Sequence, residues 1–299
     1  MKKRFVSFFS AAAFCSAVLL PGFARAEGRF SLRLQAGWAH QSAGDVNPGT
    51  QAAFDWYENG WPMSEGGYRA VHGGYELGGD IVFELTPWLG VGVGGGYLKS
   101  SRTSHLSFWL PDLEIGDVNG GVSSSPMLSA VPIRLGIYFT VPLSKKFNFH
   151  ADAGASCYLN ARYNDGWHLM QNALATVVEE IQVVTRAEKK NAPLGFQGGI
   201  GLEYKLQQNL FLYIGARGRY GKFRGLKGSS VIEIYEAGEG ETTLSEQGIL
   251  YYEAAPMLTG SPRLLMVQSD PPDGPGGEPR QAVIDFSGVS LQVGIRIRL

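Results

Sequence analysis

The chain has 299 residues, with 26 basic and 27 acidic side chains and a formal charge of −1. This near-neutral balance gives no indication of the strongly basic charge that is typical of nucleic-acid-binding proteins. Charged residues make up 18% of the sequence, against about 25% in soluble domains. Glycine occurs 41 times and aromatic residues reach 12%, so the composition argues against an ordinary soluble domain.

Residues 1–26 have the layout of a cleavable secretory signal. A basic start at residues 2–4 precedes an apolar stretch at residues 5–20, and the small-x-small triplet 24–26 follows. The apolar stretch is shorter than the about 20 residues of a membrane-spanning helix. We expect cleavage to leave residues 27–299, with 22 basic and 27 acidic side chains and a formal charge of −5.

Eight segments of this mature chain alternate apolar and polar residues with the period of two that strands require. They cover residues 30–38, 75–85, 89–97, 131–139, 147–153, 196–204, 212–219 and 291–299. Short connections between them alternate with four long ones, loops one to four, at residues 40–74, 99–127, 160–194 and 221–282. The sequence therefore predicts an all-β fold, an eight-stranded antiparallel up-and-down transmembrane β-barrel with long external loops and periplasmic termini.

One face of each predicted strand is apolar, and the opposite face carries the charges. An arginine that faces lipid near the membrane midplane costs about 2–4 kcal/mol, so the charged face is expected to point inward. The predicted interior polar network consists of Arg33, Glu76, Asp80, Glu84, Arg134, Asp152, Glu203, Arg217, Arg219 and Arg296. Eight strands enclose a lumen that side chains can fill, so this network is expected to be a structural core. A gated or narrow conduit is the alternative.

Aromatic side chains concentrate at the predicted strand ends, as two membrane-interface girdles would. The external set is Trp38, Tyr75, Tyr97 and Tyr220, and the periplasmic set is Phe30, Phe83, Trp88, Phe139, Phe147 and Tyr204. Pro132 conflicts with a closed sheet unless it lies near the rim, which is where we place it.

The final segment alternates strictly up to the last residue. Its expected assembly signal consists of Leu291, Val293, Gly294, Ile295, Ile297 and Leu299. This segment resembles the closing strand of bacterial outer-membrane barrels, which their assembly machinery recognises. The stretches VPIRLGIYFTVPL, from Val131, and FNFHADAGASCYL, from Phe147, are likewise similar to the family of small eight-stranded outer-membrane barrels of OmpA, OmpX and OmpW type.

This resemblance implies a place in the outer membrane of a Gram-negative bacterium. The implied partners are outer-membrane lipid and lipopolysaccharide, together with periplasmic chaperones and the barrel-assembly machinery during biogenesis. The protein is expected to be a monomer that binds no cofactor and no nucleic acid.

The long loops carry features that the barrel does not require. In loop three, apolar residues recur at helical spacing over residues 169–184 and predict an amphipathic helix. This helix is expected to cap the barrel mouth or, alternatively, to rest in the outer leaflet or against a partner. In loop four, two segments that begin at Val231 and Gly248 predict a hairpin above the membrane.

Three basic residues, Lys222, Arg224 and Lys227, stand just outside the seventh predicted strand. They are placed to contact the phosphates of lipid A, or to form a solvated basic rim.

Motifs for catalysis or cofactor binding are weak. Gly90, Gly92 and Gly95 match G-x-G-x-x-G, but no helix follows them. His105 and Ser107 are similar to the His-x-Ser of outer-membrane lipid A deacylases, but here the pair lies in a loop without flanking likeness. The histidines lack metal-ligand spacing. Therefore no enzymatic activity, catalytic residue, cofactor or metal site is expected.

Three classes of function fit these observations. A structural or surface-interaction barrel ranks first because it requires no chemistry. A carrier or narrow channel for small hydrophobic molecules, of OmpW type, is the alternative and needs an apolar cavity under the loops. A soluble periplasmic ligand-binding barrel ranks third, because it would have the opposite pattern, with apolar side chains inside.

Overall fold

The structure is a computed structural model that describes residues 29–61, 63–110, 117–173, 176–254, 263–273 and 277–299. Eight antiparallel strands form a closed ring, which confirms the predicted barrel. With all strands numbered in chain order, the ring strands are β1 (Arg29–Gln41), β3 (Gly73–Glu84), β4 (Leu89–Ser101), β7 (Met127–Pro142), β8 (Phe147–Ala173), β10 (Leu194–Lys205), β11 (Leu210–Tyr220) and β17 (Gly288–Arg298). The expected signal segment, residues 1–26, lies outside the described residues.

The ring closes because the first and last strands pair with each other. β17 pairs with β1 and with β11, while β8 joins β7 to β10. In lipid no water is available to the backbone, so closure gives each spanning strand two hydrogen-bonded neighbours. Charged side chains face the lumen: Arg33 lies opposite Asp80 in the β1–β3 ladder and opposite Arg296 in the β1–β17 ladder.

The predicted aromatic side chains contact one another at both ends of the barrel. At the periplasmic end, the rings of Phe147 and Tyr204 have centroids 5.1 Å apart. At the external end, the corresponding distance between Tyr75 and Tyr97 is 6.1 Å. Such paired rings at strand ends suit a membrane–water interface, where an apolar body and a polar tip are both accommodated.

Pro132 lies where the β4–β7 ladder is interrupted. The ladder pairs Gly95 with Ile133 and resumes only with Leu98 and Ala130. Proline lacks a backbone N–H, so an interruption of the ladder is a position at which it is tolerated.

The ring strands continue beyond the barrel into an external sheet. A membrane crossing needs about 9–11 residues, whereas β8 has 27. The external strands are β2 (Met63–Gly67), β5 (Ser104–Leu110), β6 (Val118–Ser124), β9 (Thr176–Lys189), β13 (Lys227–Glu236), β14 (Gly240–Ala254) and β15 (Arg263–Gln268). They extend β8 on both sides, and a two-stranded pair, β12 (Lys222–Phe223) with β16 (Ile284–Asp285), lies apart from them.

At Asn160, strand β8 changes which of its two faces points inward. Before this residue Asp152 is buried in the lumen, and after it Tyr163 is buried in an apolar core. The β7–β8 register shifts between Ser129 and Val131, and Asn160 has a positive φ of 49°. A bulge of this kind inserts one residue and exchanges the two faces of a strand. The same strand therefore serves a polar-filled barrel and an apolar-filled external domain.

The predicted amphipathic helix in loop three is wrong, because that segment forms strands. β8 and β9 pair from Ala161 with Lys189 up to Ala173 with Thr176. The segment is rich in β-branched residues, which favour strands, and β9 also gains a second neighbour in β13. The predicted hairpin in loop four is confirmed as β13 and β14.

A helix does occur, but in loop one. It is α1 (Val46–Gly60), which the sequence analysis treats as part of a long connection. Its buried residues include Val46, Thr50, Ala53 and Tyr57, at the spacing of one helical face. Among the described residues, no helix has the length and apolarity needed to cross a membrane.

The orientation of the barrel strands predicts a depth-dependent response to a lipid-facing charge. Leu135 in the middle of β7 and Leu143 in the periplasmic turn are 68% and 61% exposed. Leu135→Arg is expected to destabilise the membrane-embedded protein by about 2–4 kcal/mol and Leu143→Arg by about 0–1 kcal/mol. Urea titration of folding into lipid vesicles measures both values. Equal losses would contradict the assigned depth.

Candidate functional site

The barrel interior contains a network of arginines and carboxylates from seven of its eight strands. β1, β7 and β17 each contribute one arginine and β11 contributes two, whereas β3, β8 and β10 contribute the carboxylates. The structure places together Arg33, Arg134, Arg217, Arg219 and Arg296 with Glu76, Asp80, Glu84, Asp152 and Glu203. Opposite charges are thus equal in number among these ten residues.

The external half of the network is centred on two carboxylates of β3. Arg134 Nη2 lies 3.0 Å from Asp80 Oδ1, and Arg134 Nη1 lies 3.4 Å from Glu76 Oε1. Arg219 donates to the other oxygen of Glu76 at 3.0 Å. Arg217 lies 3.5 Å from Asp80 and connects this half to the centre of the lumen.

The periplasmic half is centred on Glu203 of β10. Its Oε2 lies 2.8 Å from Arg296 Nη2, and its Oε1 accepts a hydrogen bond from Arg33 at 3.3 Å. Asp152 lies between the two halves, 3.6 Å from Arg217 and 4.0 Å from Arg33. Each buried charge therefore faces an opposite charge, as a low-dielectric interior requires.

Glycines of β4 make room for these long side chains. Gly94 lies opposite Asp80 in the β3–β4 ladder and opposite Arg134 in the β4–β7 ladder. A Cβ atom at Gly94 would collide with the Asp80 carboxylate, and one at Gly92 would come within 2.9 Å of the Tyr138 ring. The glycine pattern that resembles a dinucleotide motif is therefore a packing feature of this strand.

Two interior residues outside the predicted network, His150 and Tyr213, also contact it. His150 contacts Arg33 at 2.8 Å and lies 3.5 Å from Asp152. The guanidinium carbon of Arg33 lies 4.6 Å from the centre of the Tyr213 ring, as in a cation–π contact. His150 lies on the same face of β8 as Asp152, and Tyr213 lies on the same face of β11 as Arg217. The alternation of faces along a strand is therefore sufficient to predict that both side chains point inward.

The lumen leaves little free space at its periplasmic end. A cavity lined by Ser31, Arg33, His150 and Arg296, among others, has a volume of about 10 Å³. This is about the space that one water molecule occupies. A charged interior with an aliphatic exterior is also the opposite of a soluble ligand-binding barrel, which contradicts the third functional class.

An apolar cluster covers the external end of the lumen. Tyr158 contacts Phe223 and Phe286, with ring centroids 5.1 and 5.9 Å apart. Arg219 Nε donates to the backbone oxygen of Phe286 at 3.0 Å, which ties this cluster to the ion pairs beneath it. Residues of loops one and four, such as Val46 and Leu250, belong to the same cluster. These loops, and not a loop-three helix, therefore cap the mouth.

The other residues singled out in the sequence lie away from this network. Lys222, Arg224 and Lys227 are exposed at the external rim, and Lys227 also lines a groove that contains Arg162, Arg186 and Lys190. The expected assembly-signal residues lie on β17, with Leu299 just after it, and Leu291, Val293, Ile295 and Leu299 are exposed. Gly294 faces inward, opposite Gln35 of β1.

The His-x-Ser pair lies on the outer surface of β5. His105 Nε2 and Ser107 Oγ are 3.0 Å apart and exposed. In the part of the chain that the structure describes, no carboxylate forms a hydrogen bond or ion pair with His105. That described part also contains no group of three or more His, Cys, Asp or Glu side chains with metal-binding geometry.

Removing one charge from the network predicts a large loss of stability. Asp80→Asn keeps the side-chain volume but leaves Arg134 and Arg217 short of one negative charge, which is expected to cost about 3–5 kcal/mol of unfolding free energy. Glu84→Gln at the partly exposed periplasmic edge is the control, with an expected loss of about 0–1 kcal/mol. Urea unfolding in lipid vesicles compares them. An open aqueous lumen would instead leave both variants equally stable and change conductance.

Comparison with known proteins agrees with this architecture. A family model described as the outer membrane protein beta-barrel domain matches residues 6–239. No curated protein matches the chain. Among solved structures, similarity is found to the outer membrane protein OprG from Pseudomonas aeruginosa, with 10% identity, a TM-score of 0.35 and coverage of 91% of this chain and 96% of that one.

Two further solved structures are similar at the same level. Ail of Yersinia pestis, in complex with the heparin analogue sucrose octasulfate, has 10% identity and a TM-score of 0.28, with coverage of 92% of this chain and 100% of Ail. The outer membrane protease OmpT from Escherichia coli has 9% identity and a TM-score of 0.31, with coverage of 91% of this chain and 96% of OmpT. By its closed eight-stranded ring and its match to the family model, the chain belongs to the outer membrane protein beta-barrel domain family.

Proposed function

We propose that this protein is a non-conducting outer-membrane barrel that presents a folded β-domain at the cell surface for interaction with other surfaces. The single observation that carries the proposal is the arginine–carboxylate network that fills the lumen. Such a network is a core, because eight strands enclose only enough space for side chains. The apolar cluster at the mouth adds a second closed layer above it.

The external domain supports a role in interaction because the barrel does not need it for closure. The eight-stranded ring is complete without β2, β5, β6, β9 and β13–β15. Segments that a rigid scaffold positions at the surface carry a disproportionate share of the binding residues in proteins. Met63 and Trp109, which face each other in the β2–β5 ladder, and Met170 on β8 leave apolar side chains exposed on this domain.

A binding role is favoured over catalysis. The exposed His105–Ser107 pair has no hydrogen-bonded carboxylate among the described residues, and a nucleophile of this kind needs a base that a third group orients. The external domain contains an apolar cavity under the loops, which a carrier of small hydrophobic molecules needs. Passage of such a molecule through the lumen is disfavoured, because it would have to displace buried ion pairs.

The same proposal includes the expected membrane partners. Lys222, Arg224 and Lys227 at the external rim are placed to meet lipid A phosphates, for which charge-assisted hydrogen bonds supply the affinity. The aliphatic face of β17, which includes Ile295 and Ile297, is the proposed contact for the barrel-assembly machinery.

The closed lumen predicts the absence of a steady current. The purified protein, folded in a planar lipid bilayer, is expected to show no stable conductance step, because buried ion pairs and the apolar cluster block the path. An open porin in the same bilayer serves as the positive control. Reproducible single-channel steps from the wild-type protein would refute the non-conducting barrel.

The exposed apolar side chains predict a loss of adhesion when they are made polar. The combined variant Met63→Ser, Trp109→Ser and Met170→Ser is expected to reduce cell–cell aggregation and binding to polystyrene to the level of cells without the protein. The control variant Tyr235→Ser with Leu244→Ser changes exposed apolar residues elsewhere on the domain. Unchanged adhesion at equal surface display would argue against this surface.

A further inference from the structure

The external domain encloses a cavity that the barrel architecture does not explain. It lies between α1 and the sheet, with a volume of about 340 Å³. This volume falls within the range of small-molecule sites, at its lower end. The lining residues come from α1, β6, β8, β9, β13, β14 and β15.

Most of the cavity wall is apolar. Ile181 and Val183 of β9, Ile232 and Ile234 of β13, and Met266 of β15 form its sheet side. On the helix side the residues are small. A Cβ atom at Gly49 would collide with the Leu265 side chain, so α1 packs directly against β15 beside the cavity. Small helix residues and branched strand residues thus leave a gap that neither element fills.

Two carboxyl groups line this apolar space, and one of them is already satisfied. Asp165 accepts hydrogen bonds from Ser124 Oγ at 3.0 Å, from the Ser125 backbone N–H at 3.1 Å and from the Tyr163 hydroxyl at 3.1 Å. These contacts account for both of its oxygens. Asp165 therefore has a structural role in joining β6 to β8.

Glu253 has fewer partners. It is 3% exposed, and its Oε2 accepts a hydrogen bond from Gln268 Nε2 at 2.6 Å. Within the described part of the chain, no lysine or arginine forms an ion pair with it. Among the residues whose side chains the structure describes, the cavity lining contains no basic residue. A buried carboxylate without a counter-ion is costly, so this site favours a positively charged occupant and rejects an anionic one.

Among the described residues, Gln268 is the hydrogen-bond partner of Glu253, and no cation offsets its charge. Burial and the nearby Glu246 raise the pKa of Glu253 to about 7, and burial raises the pKa of Asp165 to about 6. The lining residues of α1, β9, β13 and β15 are uncharged. Arg280, which stacks on Tyr252, is already paired with Asp45 at 2.9 Å.

We propose that this cavity binds a small apolar cation, an amine carried on an alkyl or aryl group, with Glu253 as its counter-ion. The apolar walls take the hydrocarbon part, and Gln268 holds the carboxylate in place by its hydrogen bond. Trp167 lines the same cavity, and its buried indole N–H has no hydrogen-bond partner among the described residues. This donor suits a ligand that also carries an oxygen acceptor.

The proposal predicts selectivity among three molecules that share one skeleton. 4-Phenylbutylamine, 4-phenylbutanol and 4-phenylbutyrate differ only in the head group, which is cationic, neutral or anionic. Isothermal titration of the full-length protein in lipid nanodiscs at pH 8, with empty nanodiscs as the blank, is expected to give at least about tenfold tighter binding of the amine than of the alcohol. The acid is expected to bind weakest.

Glu253→Gln is expected to remove this preference, because the amide keeps the size and the contact with Gln268 but carries no charge. The control Glu233→Gln neutralises an exposed carboxylate on β13 and should leave binding unchanged. For the wild type, amine affinity should rise by at least about tenfold from pH 5.5 to pH 8, since ionised Glu253 is present only above its pKa. In Glu253→Gln only the smaller part of this rise that the ionisation of Asp165 supplies should remain.

Each other outcome would overturn the proposal. Equal binding of all three molecules would indicate a purely apolar site, and preference for the acid would indicate a hidden basic partner. If the folded, heat-modifiable protein binds none of the three molecules, the cavity does not accept small apolar amines. Because the cavity lies outside the lumen, these results do not depend on whether the barrel conducts.

Discussion

The structure depends on the pairing of buried charges inside the barrel. Five arginines and four carboxylates, Glu76, Asp80, Asp152 and Glu203, would each be prohibitively costly alone in a lumen surrounded by lipid, and each is tolerable only beside an opposite charge. Since the partners come from strands far apart in the chain, they meet only when the ring has closed in the correct register. Closure of the sheet and charge pairing therefore stabilise each other. The glycines of β4 contribute to both, because they leave room in the lumen for the long charged side chains of the neighbouring strands.

The two halves of the molecule use opposite patterns of polarity. In the membrane, polar residues fill the inside and aliphatic residues face lipid. In the external domain, apolar side chains such as Tyr163, Phe54 and Leu169 fill the inside and polar ones face water. The one-residue bulge at Asn160 allows β8 to follow the first pattern before this residue and the second pattern after it. The change of face also places Asp165 and Trp167 on the inner side of the external sheet, which is how the cavity acquires its polar lining.

The errors in the sequence-based assignment come from local ambiguity. Over residues 169–184, apolar side chains fit a helical period and, with different members, a strand period. The strand conformation is favoured because β9 pairs with β13, which lies about 50 residues further along the chain. No local sequence pattern shows this pairing. Conversely, α1 begins with a proline and a glycine in its first turn, and its apolar face becomes evident only against β15 and the sheet.

The sequence by itself determined the number of barrel strands, their inward and outward faces, and the ten charged residues of the interior. The physical reason is that lipid requires a spanning strand to alternate apolar residues facing outward with polar residues facing inward. The direction of each side chain can therefore be predicted from the sequence. Only the tertiary structure decided which arginine meets which carboxylate, how the mouth is covered, and that Glu253 is buried with no ion pair to a described residue. These depend on contacts between distant segments in water, where a loop residue is free to face either way until its neighbours are in place.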